Sequence, residues 1–249
     1  MKLKVDKSES YDWSIVVDEK ELRRLDEIIK DAFGDSQETT LKYNIKCSDG
    51  SLIETDDINE VVSEENPKNH QIEYITVNTE NPKFSKKIYI SLGKKDTSSE
   101  KSVSYSISGD TRDWVYLTAS KIEERVKNLK TWYSLIPKSD LSWVYMIIGL
   151  IAFVYLNDIS KSIITKYPSI SQDTAGIVII LIIIGILYTT YQLTKKGYPY
   201  LFPSVVFRIG DGIKRHDDVV KLRGQIFWGI IISFVVSLIA GLMILLYTS

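Results

Sequence analysis

The chain has 249 residues, enough for one large domain or two small ones, and a net charge of −1. That average conceals two unlike halves: residues 1–140 carry 27 Asp/Glu against 22 Lys/Arg (net −5), and residues 141–249 carry 5 against 9 (net +4). The composition excludes a collagen-like, disordered or disulfide-rich secreted chain, since Cys47 is the single cysteine. His70 and His216 lie far apart, so no metal site and no cofactor are expected, and the opening MKLKVDKSES lacks the apolar core of a signal peptide.

The first 110 residues read as a cytoplasmic α+β domain, a small antiparallel sheet with helices. Trp13–Val17 is a short strand, and Asp18 with Glu21 three residues on starts a helix whose apolar face is Leu22, Leu25, Ile28, Ile29 and Phe33. Leu41, Tyr43, Ile45 and Cys47 alternate with polar residues as a strand does, ending at the turn Ser48-Asp49-Gly50. Asp57–Val62 is a short capped helix, and Gln71–Asn78, Phe84–Leu92 and Ser102–Ser108 are three further strands.

Residues 111–137 form a predicted juxtamembrane heptad helix. Val115, Ala119, Ile122, Val126, Leu129, Tyr133 and Ile136 are spaced alternately four and three, the period of a coiled coil. Such a helix would be about 39 Å long, longer than a short strand, and would overhang the sheet. One half lies on the sheet and the other at the membrane, or the helix is a stalk that bundles with copies of itself. Pro137 ends it as a hinge.

Residues 138–249 read as a three-helix transmembrane region. The spans are Leu141–Leu156, Ala175–Leu193 and Gln225–Tyr247, none containing Asp, Glu, Lys, Arg or His. Lys and Arg concentrate before the first span and between the second and third, which places the N-terminus in the cytoplasm and the C-terminus outside a bacterial inner membrane. In the third span Gly229, Ser233, Ser237 and Gly241 recur every four residues. Small residues on one stripe let helix backbones approach closely in lipid, either within the chain or between copies as an oligomer and pore seam. The connection 194–224 is a basic elbow with Lys195, Lys196, Arg208, Lys214, Arg215, Lys221 and Arg223, rich also in Pro, Tyr and Phe. It suits lipid headgroups or a ligand, with Val205, Val206 and Ile209 lying in the membrane plane; the sharper reading docks it on the cytoplasmic domain. Gly210-Asp211-Gly212 reads as a tight turn before a helix.

No catalytic motif is present: no phosphate loop, GxSxG, HExxH or CxxC. Cys47 reads as a structural thiol and His70 as an exposed loop residue, so an enzyme is not expected. Tyr43, Tyr74, Tyr89 and Tyr105 with Lys42, Lys86, Lys87, Lys94 and Lys95 form a candidate surface for a nucleotide or short nucleic acid. Residues 1–100 carry net −7, which repels a polyanion.

Two classes of function follow. One is an oligomeric ion channel or membrane-perturbing effector gated by the N-terminal domain; the other is a membrane-anchored scaffold that recruits a cytoplasmic partner protein. The layout of the Trp114–Ile136 stalk, three spans and the basic elbow with Arg208, Lys214 and Arg215 resembles the membrane effectors of bacterial anti-phage defence systems. Within that group it is similar to the Hailong-type channel, and the resemblance implies a gate controlled by a short DNA from a partner enzyme.

Overall fold

Apolar alternation through the N-terminal half builds a six-stranded antiparallel sheet. The computed structural model describes residues 4–34, 39–81, 86–93, 101–135 and 172–248, with isolated helical positions at Tyr145, Gly149 and Thr165. The sheet strands are β1 (Val5–Tyr11), β3 (Thr40–Cys47), β4 (Leu52–Thr55), β5 (Ile72–Asn81), β6 (Lys86–Gly93) and β7 (Val103–Gly109), in the order β1-β7-β6-β5-β3-β4. Register puts Tyr43 beside Val77, Val77 beside Ile90 and Ile90 beside Tyr105, and all four are buried. A second row runs Ile45, Ile75, Leu92 and Val103. Because side chains alternate along a strand, both rows face the same way and form one wall of the core.

Helices α1 (Glu19–Phe33) and α3 (Arg112–Asn128) supply residues that complete this core. Asp18 caps α1 by accepting from the Glu21 amide at 2.8 Å, and Gly34 closes it at φ +63°, donating to the Lys30 carbonyl. Leu22, Leu25 and Ile29 are buried, and so are Val115, Ala119, Ile122 and Val126 of α3. Trp114 joins the two helices, donating from Nε1 to the Ala32 carbonyl at 2.8 Å and meeting Phe33 edge-on. A short helix α2 (Ile58–Ser63) begins at Asp57, which accepts from the Asn59 amide.

The heptad is therefore a core stripe in its own chain. Helix α3 has 17 residues, about 26 Å, and stops at Asn128 instead of continuing to Ile136. The chain there leaves the helix to lie along β2 (Ile15–Asp18): the Val16 amide donates to Leu129 O at 3.0 Å and the Thr131 amide to Ser14 O at 2.9 Å. Leu129 and Tyr133 are buried, but through this strand-like contact and a 3-10 turn at Trp132–Leu135. Their burial had imitated the next heptad; Ile136 and the proposed hinge Pro137 lie outside the described residues.

Two further helices follow, α4 (Gln172–Leu201) and α5 (Asp211–Thr248), with strand β8 (Val205–Arg208) between them in sequence. Both are long and apolar enough to cross a membrane, over Gly176–Leu201 and Asp211–Gly241. The expected first span, Leu141–Leu156, lies outside the described residues except for Tyr145 and Gly149.

The chain divides into two compact units, Met1–Ser134 with Leu201–Ser249, and Leu135–Tyr200. In the second unit Tyr145 donates to the Thr190 carbonyl at 3.3 Å and packs edge-on against Tyr191. The first unit holds the sheet, α1, α3, β8 and α5.

Candidate functional site

The place where β8 and the start of α5 enter the α+β domain is the most elaborately built polar site outside the core. β2 carries three apolar residues and has one edge taken by Leu129–Thr131. Its other edge receives β8 in parallel, with Ile15 opposite Val205 and Asp18 opposite Arg208. Phe207 and Ile209 enter the core at 4 % and 2 % exposure. Of the two readings of the elbow, docking on the domain is what the fold contains: Val205 and Val206 pair with β2, and Ile209 is buried. The open hydrogen-bonding edge of β2 is the physical reason, since an unpaired apolar strand edge recruits another strand.

Asn66 is the centre of the joint. It is 1 % exposed and holds φ +50°, a left-handed conformation that Asn tolerates better than most residues. Its Nδ2 donates to the carbonyls of Phe207 at 3.1 Å and Ile209 at 3.2 Å, while its Oδ1 accepts from the Ile72 amide at 2.9 Å. Its own carbonyl accepts from Arg215 at 2.6 Å, and the neighbouring Glu65 carbonyl accepts from the Asp211 amide at 2.8 Å. Gly210, at φ +50°, passes so close that a Cβ there would sit 2.1 Å from Glu65 O; a Cβ at Gly212 would sit 2.2 Å from Phe207 O. The Gly210-Asp211-Gly212 turn is thus where expected, but Asn66, its receptor, carried no sequence signal beyond being an Asn in the loop ENPKNH.

The elbow cations separate. Lys195 and Lys196 belong to α4, which extends through Leu201, and are exposed. Lys214 and Lys221 are exposed on α5, and Arg215 holds Asn66. Arg208 reaches Asp217 at 3.3 Å. Arg223 lies with its guanidinium 4.8 Å above the Tyr133 ring and 5.9 Å from that of Phe202. Burial raises the Tyr133 hydroxyl pKa above its ordinary value, and that hydroxyl donates to Pro203 O at 3.3 Å.

The small-residue stripe lies along the exposed length of α5. Ser233 donates back to Gly229 O and Ser237 to Ser233 O, each at 2.8 Å, and nothing stands within 4 Å of a Cβ at Gly229 or Gly241. The stripe is therefore internally satisfied and sterically open among the described residues.

The tyrosines predicted to form one binding platform fall on different surfaces. Tyr43 and Tyr105 are in the core, whereas Tyr74, packed against Gly93, and the exposed Tyr89 lie on the opposite face of the sheet. Strand period two puts Tyr89 out when its neighbours Ile88 and Ile90 point in. Lys94 and Lys95 lie outside the described residues.

His70 is more engaged than a free loop residue. Its Nδ1 is 2.7 Å from Asp49 Oδ2 and 3.4 Å from Ser51 Oγ, and Ser51 donates to Asp49 at 2.7 Å. The His70 hydrogen bond, with further bonds from Ser51, holds the Asp49 carboxyl far below the usual carboxylate range. These three residue types also make hydrolytic triads, but there the imidazole uses one nitrogen for the acid and the other for the serine. Here Nδ1 faces both, so the trio is a clip on the β3–β4 turn. Among the described residues no group of three or more His, Cys, Asp or Glu is placed to hold a metal. Comparison with known proteins finds no matching family model, no matching curated protein and no matching solved structure.

Proposed function

We propose that the chain is a non-enzymatic multi-pass membrane protein of the bacterial inner membrane, acting as an oligomeric ion channel or membrane-perturbing effector gated by its N-terminal domain. In this reading the segment 141–156 is a span in addition to α4 and α5, the N-terminal domain is cytoplasmic, and the C-terminus is outside. The observation that carries the reading is the continuity of α5. Its first turns are bound into the α+β domain through Asn66, Glu65 and β8, and the same 38-residue helix continues as an apolar span. A tether requires only a flexible link, whereas an unbroken helix transmits rotation or tilt of the domain to the membrane segment.

Uncharged spans argue against a proton relay, and a hydrophobic constriction can gate by dewetting. The trigger acts on the cytoplasmic side, in keeping with the layout's resemblance to anti-phage membrane effectors. The test is ion flux through purified protein in liposomes, with its mass in detergent. Flux from a defined oligomer is the expected result; a silent monomer overturns the channel and assigns the chain to the membrane-anchored scaffold class.

A further inference from the structure

Beside the joint lies a cavity of about 950 Å³, large enough for a drug-sized ligand. Its walls come from four segments: Val16 of β2, Lys130 and Tyr133 after α3, Phe202 before β8, and Arg223, Phe227 and Ile230 of α5. The last three are spaced four and three, so they share one face of the helix. The cationic residue therefore stands at one end of that face and the apolar residues lead away from it along the span. No Asp or Glu lines the cavity among the described residues. Arg223 Nε is buried and has no hydrogen-bond partner among the described residues, although its guanidinium lies over two aromatic rings. A buried N–H without an acceptor is costly, and a guanidinium is the side chain best shaped to meet a phosphate.

We propose that this cavity binds the headgroup of an anionic phospholipid, with its phosphate on Arg223 and on Lys130, whose ammonium exchanges its contact over the Trp13 ring at 4.9 Å for the phosphate, and its first acyl carbons along Phe227 and Ile230. The inference rests on the reading that α5 crosses a bilayer. A lipid is favoured over a soluble anion because the walls are mainly apolar and continue into the apolar length of α5. Bound there, the lipid bridges the 3-10 turn and α5, so that the composition of the leaflet bears directly on the joint.

The full chain is purified in detergent, incubated with dioleoyl phosphatidylglycerol or dioleoyl phosphatidylcholine, and weighed by native mass spectrometry. Retention of phosphatidylglycerol over phosphatidylcholine is expected, falling about tenfold in Arg223→Gln from the loss of one charge-assisted contact. Lys121→Gln, an exposed position on α3 outside the cavity, retains it fully. Should Arg223→Gln not fold, Lys130→Gln carries the same expectation. Equal retention of the two lipids, or unchanged retention in the folded cavity variant, overturns the proposal. Inorganic phosphate displacing phosphatidylglycerol at equal concentration also overturns it, in favour of a soluble anion. Reconstitution into phosphatidylcholine vesicles, which needs no anionic site, separates the two readings. Failure to insert retires the span and the cavity together, and insertion without lipid preference retires the cavity alone.

Discussion

Asn66 donates to the Ile209 carbonyl across 143 residues of sequence, at 3.2 Å and in the buried interior. That bond and its companion to Phe207 join a loop of the α+β domain to the strand and turn that start α5. A loop that elsewhere would be free to vary is here the receptor for the helix, so the joint is fixed by polar contacts shielded from water, where they are stronger than on the surface.

Replacing Asn66 by Ala leaves two carbonyls and the Ile72 amide without partners. We expect a loss of about 3 kcal/mol in unfolding free energy, read by urea titration of the protein in detergent. Asn66→Asp retains the acceptor for Ile72 but not the two donors, and is expected to recover only part of it.

Gly210→Ala attacks the same joint through sterics. The new Cβ meets the Glu65 carbonyl, at a φ that L-residues avoid. β8 is expected to leave β2, seen as lost hydrogen-exchange protection of the Ile15 amide, which donates to Ser204 O. Amides of β6 in the sheet interior should keep theirs.

Tyr43 ties the sheet to α1, donating to Asp26 Oδ1 at 2.5 Å, while Lys30 pairs with the other carboxylate oxygen at 2.9 Å. Burial, then the bond to Asp26, pushes the Tyr43 hydroxyl pKa above its ordinary value of 10.0. A raised pKa in the folded state means that the stabilisation is complete below pH 10 and is lost as the pH rises beyond it. Tyr43→Phe should cost about 2 kcal/mol at neutral pH and flatten the alkaline decline, measured by unfolding at pH 7 to 11.

Cys47 is buried and burial raises its thiol pKa, with Glu64, Asp49 and Glu73 adding to the shift and a Ser51 hydrogen bond opposing it. The thiolate is the reactive form, so alkylation by iodoacetamide should be about 100-fold slower in the folded protein than in urea. Rapid labelling of the folded chain would show that β3 opens.

On the oligomer reading, the open stripe of α5 is the contact between copies. The double variant Ser233→Leu with Gly241→Leu should reduce the mass in detergent to a monomer and abolish flux, because bulky side chains prevent close helix approach. An unchanged mass removes the stripe from the interface.

Local patterns were legible in sequence because their causes are local. Asp18 with Glu21 marked the start of α1, strand alternation marked β3, β5, β6 and β7 but not the four-residue edge strand β4, and uninterrupted apolar runs marked α4 and α5. Edge strand β1 was missed because Lys7, Ser8, Glu9 and Ser10 interrupt the apolar alternation; it is held by pairing with β7 and by Lys7 near Glu123. The heptad of α3 told correctly which residues turn away from water, but burial has the same period whether a helix packs on a sheet or on its own copies.

What the sequence determined by itself was therefore composition and periodicity: an α+β N-terminal half, an apolar C-terminal half, and which residues of each helix avoid water. The tertiary structure decided the partners. Only folding brings Ile15 to Val205, Asn66 to Ile209, and Arg223 over Tyr133. Each pair is separated by 90 residues or more. A hydrogen-bond donor or strand edge states in sequence that it needs a partner and carries no record of which distant carbonyl will meet it.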